Sequence, residues 1–387
     1  MITDSEFLII GGGVAGLTAA IALQSINREF VLVEQRQVLH GIGAGFGLAA
    51  NAMQALDLLG LKEEIEKIGY YLDNYHILSE KGDILFKPDT NRISSRYNQK
   101  NFAIHRADLH QHLLSKIPTE KILLGKRAIK LEQESNLVRV FFEDGTVHTA
   151  KYLLIADGVK SLLRQQLVPS STPRFAGYTC WRATIDNSNI KLSTGFETWG
   201  KAGRFGVTPL VGNRIYWYAC VNGKPNDPYF KNTTVVDLYN RFIGYHDPIP
   251  RILQGTNNED LIWSDIIDIK PLNHLAYHNI LIIGDAGHAT TPNMGQGACQ
   301  AIEDVAVLTD ELKKKKTTID AFQSFEKRRL ARTHYITETS RQIGEVAQWE
   351  HPWSIAIRNT LAKALPNRVK QYSLSKLLSK DFMKENN

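Results

Sequence analysis

The stretch "FLIIGGGVAGLTAAIALQSINREFVLVEQR", Phe7 to Arg36, decides the fold. Phe7 to Ile10 is a short apolar run. "GGGVAG" follows and matches G-x-G-x-x-G at Gly11, Gly13 and Gly16. A small-residue helical pattern covers Thr18 to Ser25, and "EFVLVEQR" is a second strand ending at Glu34. Strand, glycine turn, helix and strand within roughly 30 residues make a βαβ unit. Each glycine has its own task. Gly11 permits the tight turn, Gly13 lets the backbone approach a pyrophosphate, and Gly16 lets helix pack closely on strand. The phosphates would sit on N–H groups at the positive end of the helix dipole, with Ala15 among the candidate contacts. Glu34, about twenty residues past the turn and followed by Gln35, suits the ribose hydroxyls of an adenosine. The motif by itself does not choose between NAD and FAD.

Further along, "ANAMQALDLLGLKEEI" (50–65) reads as a helix broken at Gly60. "RADLHQHLLSKI" (106–117) reads as another, with Asp108 in its first turn. "LVRVFFEDGTVHTAKYLLIADG" (137–158) carries a hairpin around Asp144-Gly145, then an apolar strand ending at Asp157-Gly158. From about 173 to 270, aromatics, Thr, Asn and turn residues alternate, the texture of a mostly antiparallel sheet. "NILIIGDAGH" (279–288) returns to an apolar strand; a long helix from about 296 to 315 follows, with helical sequence to the end interrupted at Pro352 and Pro366. The expected fold class is α/β: a Rossmann-like dinucleotide-binding domain interleaved with a mainly antiparallel β-sheet substrate domain, and a helical C-terminus. The expected boundaries are 1–172 for the first part of the nucleotide domain, with 74–99 a candidate to join the substrate domain. Residues 173–275 form the substrate domain, 276–345 resume the first, and 346–387 are a C-terminal helical segment.

Composition narrows the function. The 387 residues are 43% apolar and 22% charged, with a net charge of +6. That is ordinary for a globular chain of two or three lobes. The run Lys313 to Lys316 reads as the solvated end of a helix. Nucleic acid is not an expected partner, because no broad basic face with aromatic platforms is present. The three cysteines, Cys180, Cys220 and Cys299, form no C-x-x-C pair, which argues against a disulfide framework or a zinc ribbon. Met1 to Glu6 is short and acidic, unlike a signal peptide, and no apolar run is long enough to span a bilayer. A cytoplasmic enzyme is the expectation. The basic amphipathic stretch "LAKALPNRVKQYSLSKLLSKDF" leaves a membrane-surface role as the lesser reading beside helix packing.

Three more stretches choose the cofactor: "HRADLHQHLL" (105–114), "LLIADGVKSLLR" (153–164) and "GDAGHATTPNMGQGACQAIED" (284–304). With the glycine turn, they resemble the single-component FAD-dependent aromatic monooxygenases, the p-hydroxybenzoate hydroxylase-like group, over most of the chain. The resemblance implies FAD as cofactor and NADPH or NADH as a transient co-substrate. It places Arg106 near the pyrophosphate, Asp157 in a motif serving both cofactors, Asp285 on the ribityl hydroxyls and Ala128 at the adenine. Pro292 to Gly297 would run beside the flavin ring, with Gly295, Gln296, Gly297 and Ala298 bringing N–H groups to its pyrimidine end. The implied cycle reduces the flavin, adds dioxygen at C4a, and passes the distal oxygen of that hydroperoxide to a small aromatic or heteroaromatic ring or a double bond.

His288, Cys299 and Glu303 lack the spacing of a metal site, and none is expected. His288 reads as a structural residue of the turn, Cys299 as a small helix residue facing the flavin domain, and Glu303-Asp304 as a locally capping or pairing couple. Asn293 follows Pro292 where salicylate-type members of the group carry a His base. The form P-N-M-G-Q-G-x-C looks closer to urate hydroxylases and zeaxanthin epoxidases. In the urate-type members, an Arg and a Tyr matching Arg204 and Tyr216 hold the substrate; Cys180 departs from the amide found there. Cys180, Arg204, Tyr216, Tyr218 and Pro292 are the candidate substrate residues, Arg204 and Tyr216 the candidate catalytic pair. The hairpin "GRFGVTPLVGNRIYWYACVN" (203–222) contains a test. A two-residue Gly212-Asn213 turn puts Arg204 and Tyr216 on opposite faces, whereas a three-residue Val211-Gly212-Asn213 turn pairs Arg204 with Cys220 and joins both to Tyr218's face. A flavin reductase on the same fold, and a lipid-surface hydroxylase of an isoprenoid, stay open as alternatives; the oligomeric state is not legible.

Overall fold

The computed structural model describes residues 4–39, 45–72, 75–87, 101–366, 375–378 and 380–383. Parts of three readings above, in the N-terminal leader, the 74–99 segment and the basic C-terminal stretch, lie outside these residues. The chain begins β1 (Ser5–Ile10), α1 (Val14–Ser25), β2 (Phe30–Val33), β3 (Gly45–Leu48), α2 (Ala50–Leu58) and α3 (Lys62–Ile68). It continues β4 (Tyr70–Tyr71), β5 (Tyr75–Ser79), β6 (Ile84–Phe86), β7 (Phe102–His105), α4 (Arg106–Leu114), β8 (Ile122–Leu123), β9 (Ala128–Gln133), β10 (Val138–Phe142) and β11 (Val147–Ile155). Then come α5 (Leu162–Leu167), β12 (Arg174–Asp186), β13 (Gly195–Gly200), β14 (Gly203–Leu210) and β15 (Arg214–Asn222). Three short helices, α6 (Pro228–Lys231), α7 (Val235–Phe242) and α8 (Ile249–Gln254), precede β16 (Ile262–Asp268), β17 (Ala276–Tyr277) and β18 (Ile280–Ile282). The last helices are α9 (Asp285–His288), α10 (Gly297–Lys314), α11 (Thr318–Ala347) and α12 (Pro352–Ala364).

One sheet has the order β17-β18-β11-β1-β2-β8, with β10 on β11 and β9 on β10. Its centre is parallel: Ile10 pairs with Ile155 and Val33, and Ile155 with Ile282. These strands are buried on both faces, which is why they read as unbroken apolar runs rather than alternating ones. The second sheet runs β16-β12-β15-β14-β13-β5-β6 and carries the clean alternation. Phe205, Val207, Trp217, Ala219, Trp181 and Phe196 point to one face and pack on α7 and α8, forming a separate core. β5 and β6 enter this sheet from the segment before residue 100, and β5 pairs with β13 in parallel. The helices between β15 and β16 depart from the expected plain sheet. They cover the apolar face that alternation creates but cannot itself bury. Asp227 and Thr234 cap α6 and α7 through their side chains. A small sheet, β3-β7-β4, lies between the larger two.

Candidate active site

The candidate cofactor residues meet because their strands are neighbours. Gly11, Asp157, Gly284-Asp285 and Glu34 each follow the carboxyl end of β1, β11, β18 and β2, adjacent strands in register. The crevice at that edge is where open α/β sheets bind ligands. At Gly11, φ is +109°, and a Cβ would stand 2.4 Å from the Ala156 carbonyl oxygen; only glycine fits between the two strand ends. A Cβ on Gly16 would meet the Gly11 oxygen at 1.9 Å, so α1 packs on the turn at backbone distance. Ala15 is buried against Gly284, which brings the N-terminus of α1 and the Gly284-Asp285 turn together. Glu34 accepts from the Gly12 N–H at 2.7 Å and from the Arg36 N–H at 3.0 Å. Gln35 is exposed beside it.

Several features fit a dinucleotide here. Nothing lies within 4 Å of where a Gly13 Cβ would stand, and the same is true at Gly295, whose φ is +61°. Asp157 Oδ1 is buried without a hydrogen-bond partner among the described residues. Burial pushes Asp157 up to about 6, against the Ser161 hydrogen bond and the Arg164 charge. Gln296 Nε2 is a buried donor without a partner there, while its Oε1 accepts from Asn51 and Gln300. Asp285 is exposed, and its Oδ1 lies 3.8 Å from the position of a Gly297 Cβ. Gly297 and Ala298 open α10, so their N–H groups belong to the unpaired first turn. Pro292 is exposed at the head of a 3₁₀ turn. Arg106 is exposed at the start of α4, and Ala128 sits at the start of β9, after a loop whose Lys126 N–H reaches the Glu34 carbonyl.

Sequence reasoning missed the residues that hold these turns. His110 on α4 is buried with Nε2 2.7 Å from the Gly12 carbonyl oxygen, and burial lowers its pKa. Arg164 is fully buried and donates to the carbonyls of Val159, Ser171 and Ala286, joining the loop after β11 to the turn after β18. Glu303 and Asp304 correct an expectation: they are fully buried and pair over long range. Arg329 donates to Glu303 at 2.5 Å and to Asp304 at 2.7 Å, and Arg332 donates to Glu303 at 2.7 Å. Asp304 Oδ2 also accepts the Gly284 N–H at 2.8 Å and lies 2.6 Å from His288 Nε2. The signal for this was Arg329 and Arg332 on one face of α11, which a local reading of α10 could not use. Cys299 Sγ lies against the Gly47 and Gly295 carbonyls, and burial pushes it up to about 12.

Four of the five substrate candidates, Cys180, Arg204, Tyr216 and Tyr218, share the other face of the second sheet, whereas Pro292 lies on the 3₁₀ turn before α10. Arg204 pairs with Cys220 and Leu210 with Arg214, so the turn is Val211-Gly212-Asn213, with Asn213 at φ 55°. Arg204, Tyr216 and Tyr218 therefore lie on one face, joined by Cys180 opposite Cys220. Arg204 is buried over the Tyr178 ring, 5.1 Å from its centroid. Nε donates to Gln348 at 2.8 Å and Nη1 to Glu197 at 3.2 Å. Tyr218 donates to Glu197 at 2.5 Å and meets the Tyr75 hydroxyl at 3.2 Å. Glu197, another residue the sequence did not disclose, is thus the centre of the polar cluster. Tyr216 packs against Gly45 of β3, where a Cβ would come within 2.8 Å. Asn293 joins this face to the turn before α10. It accepts from Tyr178 at 3.1 Å and donates to Thr291 and the Ser340 carbonyl. An amide pinned this way positions and does not abstract protons. A surface depression of about 600 Å³, lined by Val235, Tyr239 and Leu253, lies on the helix-covered back and touches none of these groups.

Residues 4–340 match the model of a family described as FAD binding domain. An aurachin C monooxygenase/isomerase of Stigmatella aurantiaca is 30% identical over 366 residues, 94% of this chain and 95% of its own. A 2-heptyl-3-hydroxy-4(1H)-quinolone synthase of Pseudomonas aeruginosa is also 30% identical, over 93% of this chain and 94% of its own. The fold matches that of HpxO from Klebsiella pneumoniae, solved with FAD and uric acid, with a TM-score of 0.89 at 23% identity over 98% of each chain. The chain therefore belongs to the FAD binding domain family, as an FAD-dependent monooxygenase of the aromatic-hydroxylase kind.

Proposed function

We propose that this enzyme uses NADPH or NADH and dioxygen to hydroxylate a small heteroaromatic ring of the 4-quinolone type. The observation that carries it is the join between the two half-sites: the polar aromatic face of the second sheet is bonded to the candidate flavin turn through Tyr178 and Asn293. A relative of 30% identity is a 4(1H)-quinolone synthase by name, which supports this ring over a monocyclic phenol. FAD, when bound, supplies the chemistry of hydride acceptance and oxygen activation. Gly11, Gly13, Ala15 and Gly16 would hold its pyrophosphate with Arg106. Glu34, Gln35 and Ala128 would hold the adenosine, Asp285 the ribityl chain, and Pro292 and Gly295 to Ala298 the ring edge, with Asp157 in the turn that serves both FAD and the nicotinamide. Arg204 Nη2 is buried with no partner among the described residues and would donate to the ring carbonyl. Tyr216, Tyr218 and Cys180 would wall the ring and keep water from it. The enzyme would work in the cytoplasm.

The test is purified yellow protein with 4-quinolones, urate and hydroxypyridines, following NADPH oxidation and oxygen from labelled dioxygen in the product. Stimulated oxidation that yields only hydrogen peroxide sinks the assignment for that compound. Consumption of NADPH with a reduced, unoxygenated product would establish a reductase instead.

A further inference from the structure

The charge on the pocket wall says more about the substrate than its aromatic lining does. Glu197 lies on β13 and Arg204 on β14, diagonal neighbours on one face: Glu197 pairs with Gly206, and Trp199 with Arg204. Both are buried, at 7% and 2% exposure. Glu197 Oε1 accepts from Trp199 Nε1 at 2.8 Å and from Arg204 Nη1 at 3.2 Å; Oε2 accepts from the Tyr218 hydroxyl at 2.5 Å. The ring of Tyr218 reaches Glu197 by lying across Gly206, where a Cβ would come within 2.1 Å of Cζ. Arg204 Nε is held by Gln348. What remains is Nη2, a buried donor without a partner among the described residues.

A guanidinium with its counter-ion already in place presents a donor edge, not a net positive charge. We propose that Glu197 is a specificity-determining residue that cancels the charge of Arg204, so that Nη2 takes an uncharged carbonyl oxygen of the substrate ring and disfavours a ring carboxylate. The proposal rests on Arg204 being a substrate contact, as read above. A carboxylate at Nη2 would bring a second anion within several ångströms of Glu197. In a buried site, that repulsion costs roughly tenfold or more in affinity. Desolvating the second anion adds to the cost, because one guanidinium is then shared by two carboxylates. A carbonyl incurs neither cost and satisfies the orphaned N–H. Arg182 is another guanidinium on this face. It lies on β12, across β15 from β14, and donates to Ser264 at 2.8 Å. Its charge acts on Cys180 and Tyr216. Changing Glu197 therefore alters the balance at Arg204 and leaves Arg182 as it is.

The test is binding to the oxidised holoenzyme without nicotinamide, read from perturbation of flavin absorbance. Two matched pairs serve as probes: 2-methyl-4-quinolone with 4-quinolone-2-carboxylate, and 4-hydroxybenzamide with 4-hydroxybenzoate. The expected wild-type result is a preference for the uncharged member of roughly tenfold or more. In Glu197→Gln, the preference should shrink about tenfold through tighter carboxylate binding, while Arg182→Gln keeps it within about threefold. FAD content and melting temperature confirm that the variants are folded. Equal or tighter carboxylate binding by the wild type overturns the proposal, as does an unchanged preference in Glu197→Gln or no binding of either pair. Because the readout is binding, a failure to oxygenate 2-methyl-4-quinolone would overturn the proposed hydroxylation and leave this inference standing.

Discussion

Asp157 shows how burial tunes a single acid of the candidate cofactor site. Its carboxyl is pushed up to about 6 by burial, and Oδ1 has no partner among the described residues. An acid whose folded pKa lies above its unfolded value makes folding more costly as pH rises. The cost is absent below the unfolded pKa of 3.8, grows between 3.8 and about 6, and is complete above that. In flavin-free protein, Asp157→Asn should therefore be more stable than wild type by about 1–3 kcal/mol at pH 7, with the difference vanishing towards pH 4. Thermal melts across that range check it; a difference that grows on acidification would refute the assignment. Gly206 makes the complementary point by what it lacks. In Gly206→Ala, the new Cβ would displace the Tyr218 ring that rests there, so Tyr218 would leave Glu197. The expected result is retained FAD, a stability loss of about 1–3 kcal/mol, and a KM for the ring substrate raised roughly tenfold, which is the size of one lost buried hydrogen bond. Unchanged KM would mean that the Tyr218–Glu197 contact does not shape the pocket.

At the scale of elements, the turn between β18 and α9 depends on helices that come later in the chain. Asp304 of α10 holds the Gly284 N–H and His288, and Arg329 of α11 holds Asp304 and Glu303. These carboxylates are buried, and burial alone would raise them; the facing Arg and His groups lower both. Arg329→Met removes a charge that two buried acids share, which should cost about 3–5 kcal/mol and weaken FAD binding by loosening the turn that carries Asp285. Denaturant midpoints and flavin titration check both. A stability loss without weaker flavin binding would separate the network from the turn. This is also where the sequence was least legible. Local signals disclosed the glycine turn and the helix break at Gly60, and narrowed the hairpin loop to two or three residues, because turn chemistry and period are set by near neighbours. Glu303 with Arg329, Glu197 with Arg204, and His110 with the Gly12 carbonyl are contacts between elements. Nothing within a short window distinguishes them from surface charges.

Across the whole molecule, the two sheets act through shared joints. Tyr178 of β12 bonds Asn293 at the candidate flavin turn, Arg214 of β15 bonds Asp108 of α4 at 2.5 Å, and Asn222 pairs with Gln348 after α11. Buried Asp268 of β16 takes Arg174 from its own sheet and Arg341 from α11. The βαβ unit and the aromatic alternation made both layers legible in sequence, but these joints set how the layers sit together. They also couple their stabilities. Four of the six tryptophans lie in the second sheet, Trp349 follows α11 and Trp353 is in α12, and Trp181 and Trp217 are fully buried in the core of that sheet. Tryptophan emission therefore reports the second sheet, while FAD would bind the first. If the joints make one cooperative unit, flavin that binds only the folded state stabilises the tryptophan transition as well, by about 2.7 kcal/mol at a hundredfold excess over Kd. Tryptophan unfolding and flavin release should then coincide in one denaturant titration. A tryptophan transition that ignores added FAD would show that the layers unfold separately and that the Tyr178–Asn293 join is too weak to couple them.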